Sequence, residues 1–434
     1  MPDTTPPRPP LDGGASGDHG NGDEGGGEGS GQGGGPPSDS GGSPGLTRKE
    51  RREQSSKGST AWWWVVGAVG LLALIIVGAA VATAGHTKKK AVATTTTTAA
   101  PPATTLPVTC PLTGTPAPGG TVPGRPALAA KIGNYSGDRP SAGLNQADIV
   151  FEEPVEGAYT RLVAVFQCTG SDLVGDLRSA RQPDAAILTQ LSNPLFFHAG
   201  GIQPVLDLLG TVPVQDKNVL DSASSSVVIH PAGRYAPYAT FMATGPAWAL
   251  AGADVTPPAP IFTYSAALPP AAAIGSGQSI HIPFSTDADV TWTWNPATGT
   301  YLRSYATGPD TLVGGGQTAT SNVVAMTVPT AVGTWVENAQ GGREIEVNAI
   351  GSGPVVVLRN GVATSGTWTR TSLSTPATFA DTSGQPITLA PGGTWEELVP
   401  QGIPVTVTAA PPPPATSTTT TSASKSSTPK TTGR

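Results

Sequence analysis

The chain has 434 residues, with 56 glycines, 45 prolines, two cysteines and a formal net charge of −6. Charged residues make up only 12% of it, and between 108 and 409 there are 12 basic against 21 acidic side chains, a net charge of −9 without a basic stripe. That balance argues against duplex nucleic acid, whose binding takes clustered Lys and Arg to displace counterions. The absence of CxxC and HxxxH spacings argues against zinc, and no residue pattern calls for a cofactor.

Residues 1–60 run through Gly-rich tracts such as Gly25 to Gly27 and Gly33 to Gly35 and carry almost no large apolar side chains. Such a stretch does not bury enough surface to offset its ordering entropy, so a disordered tail is expected. Residues 61–84, AWWWVVGAVGLLALIIVGAAVATA, carry no charge. At about 1.5 Å per residue they are long enough for a membrane-spanning helix, with Trp62 to Trp64 at the headgroup level. Arg48, Lys49, Arg51, Arg52 and Lys57 precede the run and Lys88 to Lys90 follow it. This bias places the N-terminus in the cytoplasm and the remainder outside, in a single-pass membrane protein. A cleaved signal peptide is the alternative, against which stand the length of the run and its distance from the start.

Residues 85–107 read as a Thr/Pro linker and 410–434 as a disordered Ser/Thr/Pro tail. Between them lies the segment able to hold a large core, divided into an N-terminal domain over 108–275 and a C-terminal domain over 276–409. Outside the membrane Cys110 and Cys168 are free to pair, closing a loop worth on the order of 4 kcal/mol in the chain-entropy model.

The expected fold is α/β of the mixed α+β kind, with mixed sheets, a few helices in the first half and a strand-rich second half. Strands are expected over 126–133, 148–153 and 161–167, with a turn at 154–158. Within 148–153 Glu153 shares a face with Ile149 and Phe151 while Glu152 shares the other with Val150, so only one of the two easily reaches a cleft. DAAILTQL after Pro183 and IQPVLDLLG read as helices, and PLFFHAGG as a strand ending at His198. Further strands are expected over 291–295, 300–305, 323–328, 344–348 and 354–358, with a hairpin turn at Asn360-Gly361. Trp335, Trp368 and Trp395 read as packing residues.

The stretch from Asp138 to Asp184 holds twelve charged residues in 47. Asp148, Glu152, Glu153, Glu156, Arg161, Arg178 and Arg181 sit there among apolar strands, next to a core, and need partners. Arg178-Ser179-Ala180-Arg181 precedes an expected helix start, a position suited to an anion. The competing reading is that these arginines pair with Glu152, Glu153, Glu156 or Asp184 and only lock the hairpin to the helix. The glutamates admit acid/base chemistry, and His198 closes a strand before Gly200-Gly201, a position suited to a site residue. No GxSxG, HExxH or P-loop pattern occurs.

RPALAAKIGNYSGDRPSAGLNQADIVFEEPVEGAYTRLVAVFQ, then GDLRSARQPD and FFHAGG, and later NGVATSGTWTRTSLSTPATFADTSGQPITLAPGGTWEELVP, resemble the YerB-like family of bacterial envelope proteins, largely of unknown function. The resemblance covers roughly 108–400 and implies an α/β fold with mixed sheets, an extracytoplasmic location and, usually, a lipid anchor on an N-terminal Cys. This chain has no Cys before position 110. It also reads Ala236-Pro237-Tyr238-Ala239 where family members often carry Pro-His-Asn. Among the positions matching the family's motifs, the candidate ligand-binding residues are Asn134, Arg139, Asp148, Glu152, Glu156, Arg161, Arg178, Ser179, Arg181 and His198.

The function these readings lead to is a membrane-tethered, extracytoplasmic binding or scaffold module of the cell envelope, holding an acidic wall component or a partner protein. A wall-processing hydrolase using Glu152 or Glu156 with His198 is the alternative.

Overall fold

The computed structural model describes residues 107–270, 273, 275–411 and 433. The expected N-terminal tail, membrane span and nearly all of the linker, over 1–106, and the tail from 412 to 432 lie outside the described residues. Among the described residues no helix is long and apolar enough to cross a membrane.

Ten strands form the central sheet. Five come from the first half: β1 (Leu128–Gly133), β2 (Ile149–Val155), β3 (Tyr159–Phe166), β4 (Leu195–His198) and β5 (Gln215–Asn218). Five come from the second: β6 (Asn322–Val328), β7 (Gly351–Arg359), β8 (Val362–Arg370), β9 (Thr378–Asp381) and β10 (Thr394–Pro400). Their order is β9-β8-β7-β6-β10-β2-β3-β1-β4-β5. The halves meet where β10 runs parallel to both β6 and β2, while the hairpins β2–β3 and β7–β8 are antiparallel. The sheet is therefore mixed, as expected, and takes strands from both sides of the boundary expected between 275 and 276.

Alternation along each strand sends side chains to two different cores. Leu128, Ala130, Val150, Leu162 and Phe197 face a second sheet that presents Ile280, Ile282, Val290, Trp292 and Tyr301. Ala129, Ile149, Phe151, Val163 and Phe196 face the helices, meeting Ile187, Leu188, Val205 and Leu209. With both faces covered, β1 and β2 are buried at every residue, as central strands of a layered fold should be.

The balance departs from α/β: the protein is mostly β. The helices are short, with α1 at Asp184–Leu188, α2 at Gln203–Leu209 and α3 at Thr244–Trp248. The helical pattern after Pro183 tightens to a 3-10 turn over Thr189–Leu191 and stops at Ser192, whose φ is 71°. Gly210 caps α2 after seven residues. The Asn360-Gly361 turn forms as expected, both residues at positive φ and Arg359 paired with Val362. Trp368 and Trp395 are core residues, and Trp335 packs against the helix-side core.

Cys110 and Cys168 are bonded, with Cα atoms 6.0 Å apart, which ties the segment ahead of β1 to the chain just after β3. Beyond β6 the chain leaves the sheet as a two-stranded antiparallel arm, Thr330–Val336 paired with Arg343–Val347. Its tip returns toward the β2–β3 hairpin.

Candidate functional site

The β2–β3 hairpin ends in a 3-10 turn over Glu156–Ala158 instead of the broader loop expected at 154–158. Gly157 has φ 73° there, and a Cβ on it would come within 3.0 Å of the Tyr159 ring. Glycine therefore lets the turn fold close to Tyr159. The turn forms one wall of a cavity of about 360 Å³. Glu156, Thr160 and Arg161 line that wall; Arg178, Ser179 and Arg181 line the next, from the loop ahead of α1. Tyr135 and Asp138 enter from the loop after β1, and Glu337 and Asn338 from the tip of the arm.

Five expected site residues thus share one cavity: Glu156, Arg161, Arg178, Ser179 and Arg181. Their roles divide. Arg181 is taken up by Glu156, donating from Nε to Oε2 at 2.8 Å and from Nη2 to Oε1. Burial works against the Glu156 carboxylate, but the hydrogen bonds and charge of Arg181 outweigh it and hold its pKa below the usual value. Arg161 and Arg178 are differently placed. Arg161 Nη1 donates to the Ser179 carbonyl at 2.5 Å, and its Nη2 lies 3.8 Å from Glu156. Arg178 Nη1 donates to the Pro237 carbonyl at 2.9 Å, and its Nε lies 3.7 Å from Asp138. Burial, and next the charge of Arg181, pull the Arg161 pKa down to about 10. Three guanidiniums are crowded here, and two of them hold only carbonyl hydrogen bonds.

The helix start contributes nothing to this cavity. Asp184 Oδ2 accepts the backbone N–H of Arg181 at 2.7 Å, and Asp184 Oδ1 accepts from Lys131 Nζ at 2.7 Å. Glu153 pairs with the same lysine inside the core.

The remaining candidates fasten the fold. Glu152 is sealed on the opposite face from Glu153, accepting from Arg303 Nη2 at 2.6 Å, Thr160 Oγ1 at 2.7 Å and Asn134 Nδ2 at 3.0 Å. The alternation read from sequence holds, but neither glutamate reaches a cleft, because both are fully buried and partnered. Asn134 also accepts from Tyr305, and Arg139 holds the Asn134 carbonyl and the Asp287 carbonyl while stacking on the Tyr305 ring. Asp148 accepts the backbone N–H groups of Gln167 and Cys168, bracing the disulfide. His198 is fully buried between the Gly200 carbonyl and Asp216, stacked on Phe196. Glu152, Glu156 and His198 are therefore not gathered into one catalytic group.

Several cavity residues escaped the sequence reading, among them Tyr135, Asp138, Tyr159, Glu337 and Asn338. Asp138 opens the charged stretch and was within reach of it. Glu337 had no local signal, since Glu156, Arg161 and Arg181, whose charges act on it in the cavity, lie more than 150 positions earlier. The segment Ala236 to Ala239 also stands at the site: Pro237 holds Arg178, and the Tyr238 ring lies 5.3 Å from its guanidinium carbon.

The fold and the matched segments place the chain in a two-domain family whose function is not known. Residues 112–254 match the N-terminal domain and residues 280–395 the C-terminal domain of a family described as a protein of unknown function (DUF3048), and the chain belongs to it. A relative in this YerB-like family is YerB of Bacillus subtilis (strain 168), provisionally called a lipoprotein, 38% identical over 100 residues. That stretch is 22% of this chain and 29% of the relative's length. The crystal structure of Bacillus subtilis YerB has the same fold, with a TM-score of 0.58 at 20% identity over 69% of this chain and 99% of that one.

Proposed function

We propose that this protein is a membrane-tethered module of the cell envelope that binds an acidic wall component at Arg161 and Arg178. The observation carrying this reading is the pair of guanidiniums in one open cavity, each satisfied by a backbone carbonyl and each at least 3.7 Å from a carboxylate. A carboxylate or phosphate entering the cavity would accept two charge-assisted hydrogen bonds and relieve repulsion among three neighbouring cations. The apolar run at 61–84 supplies the tether and the Thr/Pro linker supplies reach. The lipoprotein name of the relative supports the same placement at the membrane.

The test is calorimetric titration of the full chain in detergent with inorganic phosphate and with an acidic wall polymer. Arg178→Ala should weaken both by about tenfold or more, because charge-assisted hydrogen bonds contribute about 1.5–3 kcal/mol. Equal affinities for the variant and the parent chain, or no binding by either, would overturn the proposal.

A further inference from the structure

The arginines of the cavity ask for an anion; two carboxylates beside them, Glu337 next to Arg181 and Asp138 next to Arg178, ask for hydrogen-bond donors. The Glu337 side chain is fully sealed, and neither of its carboxylate oxygens has a hydrogen-bond partner. It meets Arg181 Nε at 3.3 Å without hydrogen-bond alignment. Asp138 accepts the Tyr135 N–H through Oδ2 at 2.8 Å, but its Oδ1 is also unpartnered. Buried acceptors of this kind cost free energy until a donor meets them. Inorganic phosphate, with few O–H groups on a compact anion, would meet them only in part and bring its negative charge close to them.

Two aromatic rings complete the lining. Tyr135 and Tyr159 meet edge to face with centroids 4.9 Å apart, and they stay 38% and 39% exposed. Rings that are held by one another and open to a cavity offer a flat apolar surface with a polar tip.

We infer that the cavity takes an acidic saccharide, its anionic group on Arg161 and Arg178, its hydroxyls donating to Glu337 and Asp138, and a ring face on Tyr159. This rests on the anion-binding reading above and narrows it to a ligand class. The volume of about 360 Å³ is at the small end for ligand sites, which suits a sugar unit held at one point of a longer chain.

The experiment compares four probes on the full chain in detergent: a glucuronic-acid oligosaccharide, its neutral glucose counterpart, inorganic phosphate and a zwitterionic dipeptide. The uronate should bind about tenfold tighter than each of the others, given one or two additional hydrogen bonds to buried acceptors. Tyr159→Ala and Glu337→Gln should each remove that advantage, Tyr159→Phe should keep it, and neither tyrosine variant should change phosphate binding. If phosphate or the dipeptide binds as tightly as the uronate, or if the advantage survives both Tyr159→Ala and Glu337→Gln, the saccharide inference falls while the anion site stands. If neither phosphate nor uronate binds the parent chain, both fall.

Discussion

Glu152 on β2 and Glu397 on β10 are register partners on parallel strands, and their carboxyl groups lie side by side in the core. Arg303 Nη2 donates to Glu152 and Trp292 Nε1 donates to Glu397, at 2.6 and 2.7 Å. Burial, followed by the charge of Glu152, pushes the Glu397 pKa well above the carboxylate range, against the pull of Arg303. Glu397 therefore keeps its proton, and Arg303 pairs with its neighbour Glu152.

This assignment separates two substitutions at one cluster. Arg303→Met leaves Glu152 and Asp310 facing the core without their cation, and it should cost about 3–5 kcal/mol. Glu397→Gln copies the protonated acid in shape and should cost less than about 1 kcal/mol. Urea unfolding at neutral pH measures both. A Glu397→Gln loss as large as that of Arg303→Met would mean the carboxylate is ionised.

At the cavity, Arg181 and Arg178 should part company in their effect on stability. Arg181 and Glu156 are mutually bound and nearly buried, with side chains 6% and 9% exposed. Removing either leaves an unmatched charge, so Arg181→Ala should destabilise by about 3 kcal/mol or more. Arg178 is more open and is held by one carbonyl, so Arg178→Ala should change stability by about 1 kcal/mol or less. Thermal melts of both variants check this, and equal losses would make the whole arginine group structural.

His198 should behave as a structural residue. It is sealed beneath the end of β4 with both ring nitrogens engaged. His198→Ala opens a cavity and leaves the Gly200 carbonyl without this partner, at a cost of about 2–4 kcal/mol. Ligand affinity, measured on the folded fraction, should match that of the parent chain. A selective loss of affinity at unchanged stability would return His198 to the site.

Part of this was legible in the sequence because charges inside apolar strands stand out. Arg161 within RLVAVFQ, and Arg178 and Arg181 ahead of a helix, had to meet partners, and the cavity is where they do so. Alternation assigned Glu152 and Glu153 to opposite faces, yet it could not say that Arg303 and Lys131 would cover them. The strand β10 was hidden for the same reason. Its Glu396 and Glu397 look like surface residues, and only Arg370, Arg303 and Trp292, distant in the chain, make them core residues. The helix content was overread because apolar spacing after Pro183 gave no measure of how soon Ser192 would end the element.

Glu396 gives the fold a pH dependence of definite sign. It lies on the helix-side face of β10 beside Phe151 and Val324 in register. Burial raises its pKa from 4.5 to about 7, with Arg370 pulling the other way. The folded protein then holds a proton that the unfolded chain has released, so between about 4.5 and about 7 stability falls as pH rises. Burial likewise carries Glu153 and Asp176 to about 7, adding to the slope. The share of Glu396 alone is on the order of 3 kcal/mol at pH 8. Arg370 keeps its hydrogen bonds to the carbonyls of Ala186, Leu373 and Thr375 without Glu396. Glu396→Gln should therefore be more stable than the parent chain at pH 8, close to it at pH 4.5, and flatter in between. Urea unfolding across that range gives the two curves, and parallel curves would show that Glu396 is ionised in the fold.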